Sequence, residues 1–290
     1  GQNHRFTTLE KPPAADLSGT WSVDFGIETS TPYPAIGTFE QEGNHLLGTF
    51  ETETGDYRYL EGTVQSNKMY LSAFDGSHMY LFEAKIINYD SLEGIHRYGT
   101  HFLTTWVASR SRISVLTSPD SLTLVNNPEM PLSLTFPNEN GTMVSLEDPE
   151  FVGKPKIIQL MGTWCPNCVD ETRFLLDWYR QAEPNISIIG LAYERHHDQV
   201  KASSAIRRYR ERMDIPYPIL LAGTDEKIDA SSHFPMLNEV IAYPTLLFVD
   251  SNNQITHIHT GFNGPATPGF KKFVDEFDKT VTLLRGESVN

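Results

Sequence analysis

The hydrophobic period of this chain changes once, and the change divides what each half can fold into. From about Leu17 to Ser111 the pattern has a period of two, with large side chains on both faces of several strands, as in Met79-Tyr80-Leu81-Phe82. Trp21, Val23 and Phe25 alternate with Ser22 and Asp24; Met69, Leu71 and Ala73 alternate with Tyr70, Ser72 and Phe74; Leu103, Thr105 and Val107 alternate with Thr104, Trp106 and Ala108. Between such runs lie Glu42-Gly43-Asn44, Thr54-Gly55-Asp56, Ser66-Asn67-Lys68, Asp75-Gly76-Ser77 and Tyr98-Gly99-Thr100, residues that tolerate positive φ or make side-chain turns. Short strands separated by such turns predict an antiparallel all-β meander over 17–116, a small barrel or a sandwich, with no helix of any length.

Thr117 to Pro131 concentrates Ser118-Pro119, Asn126-Asn127-Pro128 and Pro131, the breakers of a linker, taken here as 117–131. A second domain is expected over 132–290. It opens with a short strand pair at Leu132–Phe136 and Thr142–Leu146. Then Ile157–Met161 reads as a central strand, Pro166–Glu183 as a helix, and Ile186–Ala192 as a strand parallel to the first. Asp198–Met213 reads as a helix capped by Asp198, Tyr217–Ala222 as an edge strand, and Glu226–Glu239 as mixed helix and loop. Thr245–Asp250 and Gln254–His259 make a hairpin, and a last helix starts near Pro268 with Thr267 as its N-cap. The order β-α-β-α-β-α-β-β-α gives an α/β fold with a mixed sheet, and 290 residues suffice for two cores.

Charge narrows the partners. With 23 basic against 37 acidic side chains the net charge is −14, which repels phosphate backbones and anionic headgroups, so no nucleic-acid partner is expected. No run approaches the roughly 20 apolar residues of a membrane span, and Gly1-Gln-Asn-His-Arg-Phe lacks the apolar core of a signal peptide. A removed leader would leave the same start. The first sixteen or so residues, with Pro12-Pro13, have the polar character of a tether.

The chemistry concentrates at the join of the central strand and its helix, where Cys165 and Cys168 are the only cysteines. At a helix N-terminus the unpaired N–H groups and the dipole favour a thiolate, so a Cys-x-x-Cys there is a redox device. Cys165 sits at the N-cap and Pro166 at N1, the position where a helix best accepts proline. Cys165 is therefore expected to be the exposed, attacking sulfur and Cys168 the buried, resolving one. With no second cysteine pair a zinc site lacks ligands, and no metal or other cofactor is expected. A chain with no third cysteine can also work in an oxidising compartment without misbridging.

Two features flank the dithiol. Cys168, Phe174, Leu175, Trp178 and Ala182 form the buried stripe of the helix, while Asp170, Arg173, Asp177, Arg180 and Gln181 take the solvated face. Glu171 falls on the buried stripe, three residues beyond Cys168, where desolvation should raise its pKa and make it a proton relay. A salt bridge to a nearby Lys or Arg is the plainer alternative. Ala242-Tyr243-Pro244-Thr245, leading into an apolar strand, is a candidate cis peptide facing the dithiol. Trp164, Pro166, Asn167, Tyr243 and Pro244 are thus the expected substrate-binding residues. His78, His96 and His101, the loop pair His196-His197, and His257 with His259 have no spacing that forces metal or acid-base chemistry, and are read as structural.

Trp164-Cys165-Pro166-Asn167-Cys168, the β-α-β order and Tyr243-Pro244-Thr245 ahead of a hairpin resemble the thioredoxin fold. Glu171, with Gly261-Phe-Asn-Gly-Pro-Ala-Thr before the last helix, is similar to its TlpA/ResA branch; the likeness covers Leu132 to the C-terminus. It implies reduction of disulfides in partner proteins, a thiol electron donor, a periplasmic or extracytoplasmic location and, in many members, a lipoprotein anchor left by a removed N-terminal leader. It also implies Cys165 as attacking thiol, Cys168 as resolving thiol, Glu171 as acid-base residue and Pro244 as cis-proline. Pro166-Asn167 departs from the best-known dipeptides, which leaves the redox direction open. Two alternatives stay beside this reading. Peroxiredoxins share the fold, but their Pro-x-x-x-Thr/Ser-x-x-Cys is missing, since Ile158 and Gly162 occupy its first and fifth places. A non-catalytic protein that binds a ligand in the β domain and senses redox state is the other. The likeness says nothing about 17–111, where Gly19-Thr20-Trp21 is only faintly similar to the start of a lipocalin barrel.

Overall fold

The computed structural model describes residues 11–110, 114–181 and 186–287. Of the expectations above, the first ten residues, Ser111, Ala182 and Glu183 lie outside them. The chain divides into two compact units, one of residues 1–117 with Asn263–Phe270, the other of Ser118–Phe262 with Lys271–Asn290.

In the first unit the strands are β1 (Gly19–Phe25), β2 (Tyr33–Glu42), β3 (His45–Thr52), the two-residue β4 (Gly55–Asp56), β5 (Leu60–Gln65), β6 (Lys68–Phe74), β7 (Met79–Asn88), β8 (Ser91–Tyr98) and β9 (Phe102–Ser109). Sequence neighbours pair antiparallel, except that β5 pairs with β3 and not with β4; β1 pairs with β9, and β2 pairs with both β1 and β3. The ring of eight strands therefore closes into an up-and-down barrel, with β4 as a spur on β3. Of the two architectures that alternation permits, closure selects the barrel.

On β1 and β6 period two picks out the inward set, whereas on β9 the buried set is Thr104, Trp106 and Ala108 and not Leu103, Thr105 and Val107. Trp21, Val23 and Phe25 are fully buried from β1, Met69 and Leu71 from β6, and Phe82 from β7. The interior is a packed aromatic core rather than an open lumen. Phe50 lies 4.5 Å from Phe82, centroid to centroid, and the His96 ring stacks parallel on Phe82 at 4.2 Å. Gly94 is required here, because a β-carbon would run into the Trp106 indole and the Glu83 carbonyl. His96 is buried with neither ring nitrogen hydrogen-bonded, and burial draws its pKa down from 6.5 to about 4.

Within the same unit, Gly264 donates its N–H to Asp56 Oδ2 at 2.8 Å and Tyr59 Oη donates to the Pro265 carbonyl at 2.8 Å. The Thr267 hydroxyl donates back to the Gly264 carbonyl, 2.9 Å away. The last helix begins at Phe270, three residues beyond Thr267, so Thr267 is not the N-cap expected of it.

The second unit holds a short hairpin, β10 (Thr135–Pro137) and β11 (Met143–Ser145), and a five-stranded sheet in the order β14-β13-β12-β15-β16. These strands are β12 (Lys156–Met161), β13 (Ser187–Glu194), β14 (Ile219–Thr224), β15 (Thr245–Val249) and β16 (Ile255–Thr260). β12, β13 and β14 run parallel, while β15 and β16 are antiparallel additions. With helices α1 (Pro166–Gln181), α2 (Gln199–Met213), α3 (Lys227–Ser232) and α4 (Phe270–Leu284), this is the thioredoxin-like mixed sheet. Asp198 caps α2 by accepting the Lys201 N–H at 2.9 Å. α1 packs on α4 through Phe174, 5.0 Å from Phe273 and 4.9 Å from Phe277.

The Pro- and Asn-rich stretch read as a linker is bonded into this second unit from Ser118 onward. Asn126 N–H donates to the Met236 carbonyl at 2.8 Å, and Asn238 N–H to the Leu124 carbonyl at 2.9 Å. A 3-10 turn at Pro119–Ser121 sets Asp120 against β16, its Oδ1 2.9 Å from His259 Nδ1 and 3.5 Å from His257 Nε2.

Candidate functional site

The dithiol stands at the C-terminal end of β12, the strand at the centre of the sheet. Its six residues are all buried, so the chain leaves the sheet at a fixed point and α1 begins at once with Pro166. Cys165 and Cys168 are joined as a disulfide. Cys165 occupies the N-cap place, and the Cys168 N–H donates to its sulfur at 3.2 Å. That donor is the physical means by which a helix start holds a thiolate.

Both sulfurs are more enclosed than helix position suggests. Cys168 is fully buried and Cys165 is only 5% exposed, so the expectation of an exposed Cys165 is corrected. The reason is the loop before β15. The Tyr243–Pro244 peptide is cis, and the Tyr243 carbonyl oxygen lies 3.6 Å from Cys165 Sγ. Pro166 and Asn167 form the half-buried first turn beside it.

Trp164 is pinned rather than free to sweep over the dithiol. Its indole N–H donates to the Tyr193 carbonyl at 2.9 Å, and the Arg195 guanidinium lies 4.1 Å from the ring centroid. A β-carbon on Gly162 would overlap this indole, which accounts for glycine at that place. Glu194, buried at the end of β13, accepts from both Thr163 N–H at 2.8 Å and Thr163 Oγ1 at 2.9 Å, fixing the loop one residue further back. On the opposite side the Tyr243 ring stacks on Tyr193 at 5.4 Å, and Lys227 Nζ sits 3.4 Å above it. Burial lowers the Lys227 ammonium to about 8.

Glu171 is fully buried on α1, and among the described residues no Lys or Arg pairs with it: Gln159 Nε2 donates to its Oε2 at 2.8 Å. Burial pushes its carboxyl well above the usual range, against the smaller opposing effect of the Gln159 bond. Val169, Thr172 and Leu176 also lie on the buried face, wider than the stripe read from sequence, while Phe174 and Trp178 are half-buried. Gln159 and Thr172 were not singled out by sequence reasoning. The signal was present, since Gln159 interrupts the apolar run Ile157–Met161 at a place where a glutamine needs partners.

Among the described residues no group of three or more His, Cys, Asp or Glu side chains could hold a metal ion. His257 and His259 are brought to Asp120, not to the dithiol.

The redoxin family profile matches residues 125–273, just over half of the chain. The chain belongs to the redoxin family. A curated relative, the thiol:disulfide interchange protein DsbE of Vibrio cholerae, is 26% identical over 111 residues, which cover 38% of this redoxin and 52% of that protein. The match thus spans about half the length of the curated relative. Among solved structures, a secreted Mycobacterium tuberculosis disulfide oxidoreductase is 16% identical with a TM-score of 0.38, covering 52% of this redoxin and 95% of that chain. A thiol-disulfide oxidoreductase from Bacteroides fragilis is 15% identical with a TM-score of 0.36, covering 52% and 99%. This redoxin is a thioredoxin-fold protein with a Cys-x-x-Cys disulfide and a separate β-barrel unit.

Proposed function

We propose that this redoxin is a thiol–disulfide oxidoreductase that reduces disulfides of extracytoplasmic protein partners through Cys165 and Cys168, with Glu171 as proton relay. The observation that carries the reading is the dithiol at the start of α1, with the Cys168 N–H on Cys165 Sγ and a buried carboxyl one helical turn behind. The dithiol form begins the cycle. Cys165 thiolate attacks one sulfur of the partner disulfide, forming a mixed disulfide and releasing the partner's other sulfur as a thiolate. Glu171 takes the proton of Cys168, whose thiolate then attacks Cys165 Sγ. The Cys165–Cys168 bond forms, the second partner sulfur leaves as a thiolate, and Glu171 returns its proton. Two electrons pass to the partner, and an external thiol donor restores the dithiol.

The enclosed Cys165 favours this over attack by any passing oxidant, because a partner must present its disulfide along the Tyr243 backbone to reach the sulfur. An extracytoplasmic setting is supported by the confinement of both cysteines of the chain to the dithiol. Tethering through a leader belongs to the same reading. Catalysed reduction of insulin by dithiothreitol tests it: Cys165→Ser is expected to abolish turnover, and Cys168→Ser to accumulate mixed disulfides. Turnover that survives Cys165→Ser ends the mechanism.

A further inference from the structure

Behind Glu171 runs a chain of buried hydrogen bonds that the dithiol exchange itself does not use. Tyr209 Oη on α2 donates to Thr172 Oγ1 at 2.9 Å, Thr172 Oγ1 donates to Gln159 Oε1 at 3.0 Å, and Gln159 Nε2 donates to Glu171 Oε2 at 2.8 Å. Gln159, Thr172 and Glu171 are fully buried, and Tyr209 nearly so. The chain crosses three elements, since Gln159 stands in β12 bonded between Gly190 of β13 and Leu246 of β15.

Direction matters in such a chain. The Thr172 hydroxyl spends its hydrogen on the Gln159 carbonyl while its oxygen accepts from Tyr209, and this leaves the amide of Gln159 one orientation. Its NH₂ must face Glu171. A carboxyl oxygen that accepts from an amide is not the one that carries the acid proton, so the proton of neutral Glu171 belongs on Oε1. In the disulfide form Oε1 is buried without a hydrogen-bond partner. Glu171 and Cys168 lie three residues apart on one helical face, within side-chain reach.

We infer that Gln159, held by Thr172 and Tyr209, is a positioning residue that anchors Glu171 Oε2 and leaves Oε1 as the oxygen that exchanges a proton with Cys168. The inference rests on the relay reading of Glu171 above. The other titratable groups facing Glu171 are Cys168 on α1, Tyr209 on α2 and Tyr217 ahead of β14. Burial pushes both tyrosines upward, with the Glu171 charge a lesser contribution to each, so they stay neutral. Arg173 and Arg212 act on Tyr209. The Gln159 amide is thus the one group that favours ionised Glu171 against its burial. Removing it should raise the apparent pKa of the step in which Cys168 resolves the mixed disulfide.

The test is the pH profile of that step, measured by stopped flow on the mixed disulfide of Cys165 with a chromogenic thiol. Gln159→Met is expected to move the profile upward by about one unit and to slow resolution at neutral pH about tenfold, with attack by Cys165 unchanged. Thr172→Val should shift the profile the same way by less, and Thr172→Ser should restore it. If Gln159→Met does not fold, Thr172→Val and Tyr209→Phe carry the test further back along the same hydrogen-bonded chain. A profile unmoved in all folded variants, while Glu171→Gln removes the pH dependence, overturns the positioning role and leaves the relay standing. A profile indifferent to Glu171→Gln overturns the relay, and the inference with it.

Discussion

The barrel buries His96 and the dithiol unit buries Glu171, and the two units treat these titratable side chains in opposite ways. His96 lies flat against Phe82 among aromatic rings with neither nitrogen hydrogen-bonded. Glu171 is backed by Gln159, Thr172 and Tyr209. Burial favours the neutral form of both, holding His96 down and Glu171 up. What differs is the support. The histidine is ballast in a packed core, whereas the carboxyl is held by one oxygen, Oε2, with Oε1 unbonded. A perturbed side chain becomes a functional candidate through its neighbours, not through burial alone.

The widest separation between the two cores should come from Phe82→Ala. Filling the barrel with rings makes the loss of one expensive, about 3–5 kcal/mol in urea unfolding. The dithiol chemistry should persist in any fraction that remains folded. A loss below 1 kcal/mol would show that the interior is less well packed than described. Glu171→Gln should do the reverse, leaving the folded state intact and slowing resolution of the mixed disulfide by about 100-fold.

Acid should distinguish the same two residues by sign. Unfolded chain takes up a proton at His96 near 6.5, folded chain only near 4. The contribution of His96 is therefore whole above pH 6.5 and is lost as the pH falls toward 4, by up to about 1.4 kcal/mol per unit. His96→Phe should flatten that slope. Glu171 runs the other way: its folded pKa is raised from 4.5, so its contribution is whole below that pH and declines as the pH rises through the folded value. Stability measured from pH 4 to 8 in the two single variants would show both slopes, and parallel curves would dissolve the contrast.

The smallest effect is expected at Asp120. Burial alone would push its carboxyl up, but bonds from His257 and His259 hold it below the usual range. Asp120→Asn should cost about 0.5–1 kcal/mol above pH 4 and nothing once the wild-type carboxyl is protonated. Thermal unfolding at neutral pH and at a pH low enough to protonate the folded carboxyl checks it.

How much of this was legible depended on whether a residue's meaning was local. Period two specified the barrel strands and, on β1 and β6, their inward sets, because alternation is a property of each strand alone; on β9, where both sets mix large and small residues, it did not say that Thr104, Trp106 and Ala108 face in. It could not choose between sandwich and barrel, since that turns on β1 meeting β9 across more than eighty residues. The site divides similarly. Cys165, Cys168 and Glu171 share one helix turn or its neighbour, and their spacing places them. Gln159, Thr172 and Tyr209 come from three elements, and nothing in their spacing shows that their polar atoms meet. Thr267 misled because the residues from Gly264 to Gly269 form turns before the helix begins at Phe270, and no local pattern shows that delay.

The closed ring has a further consequence. Each of its eight long strands has a bonded neighbour on both sides, so no row of free amides is offered along a flank. The five-stranded sheet ends at β14 and β16, and of these β14 has only the isolated bridge from Asn138 to Leu220 beyond it. Deuterium should therefore enter the second unit from its margins inward, strand by strand, while the barrel amides wait for the whole ring to open together.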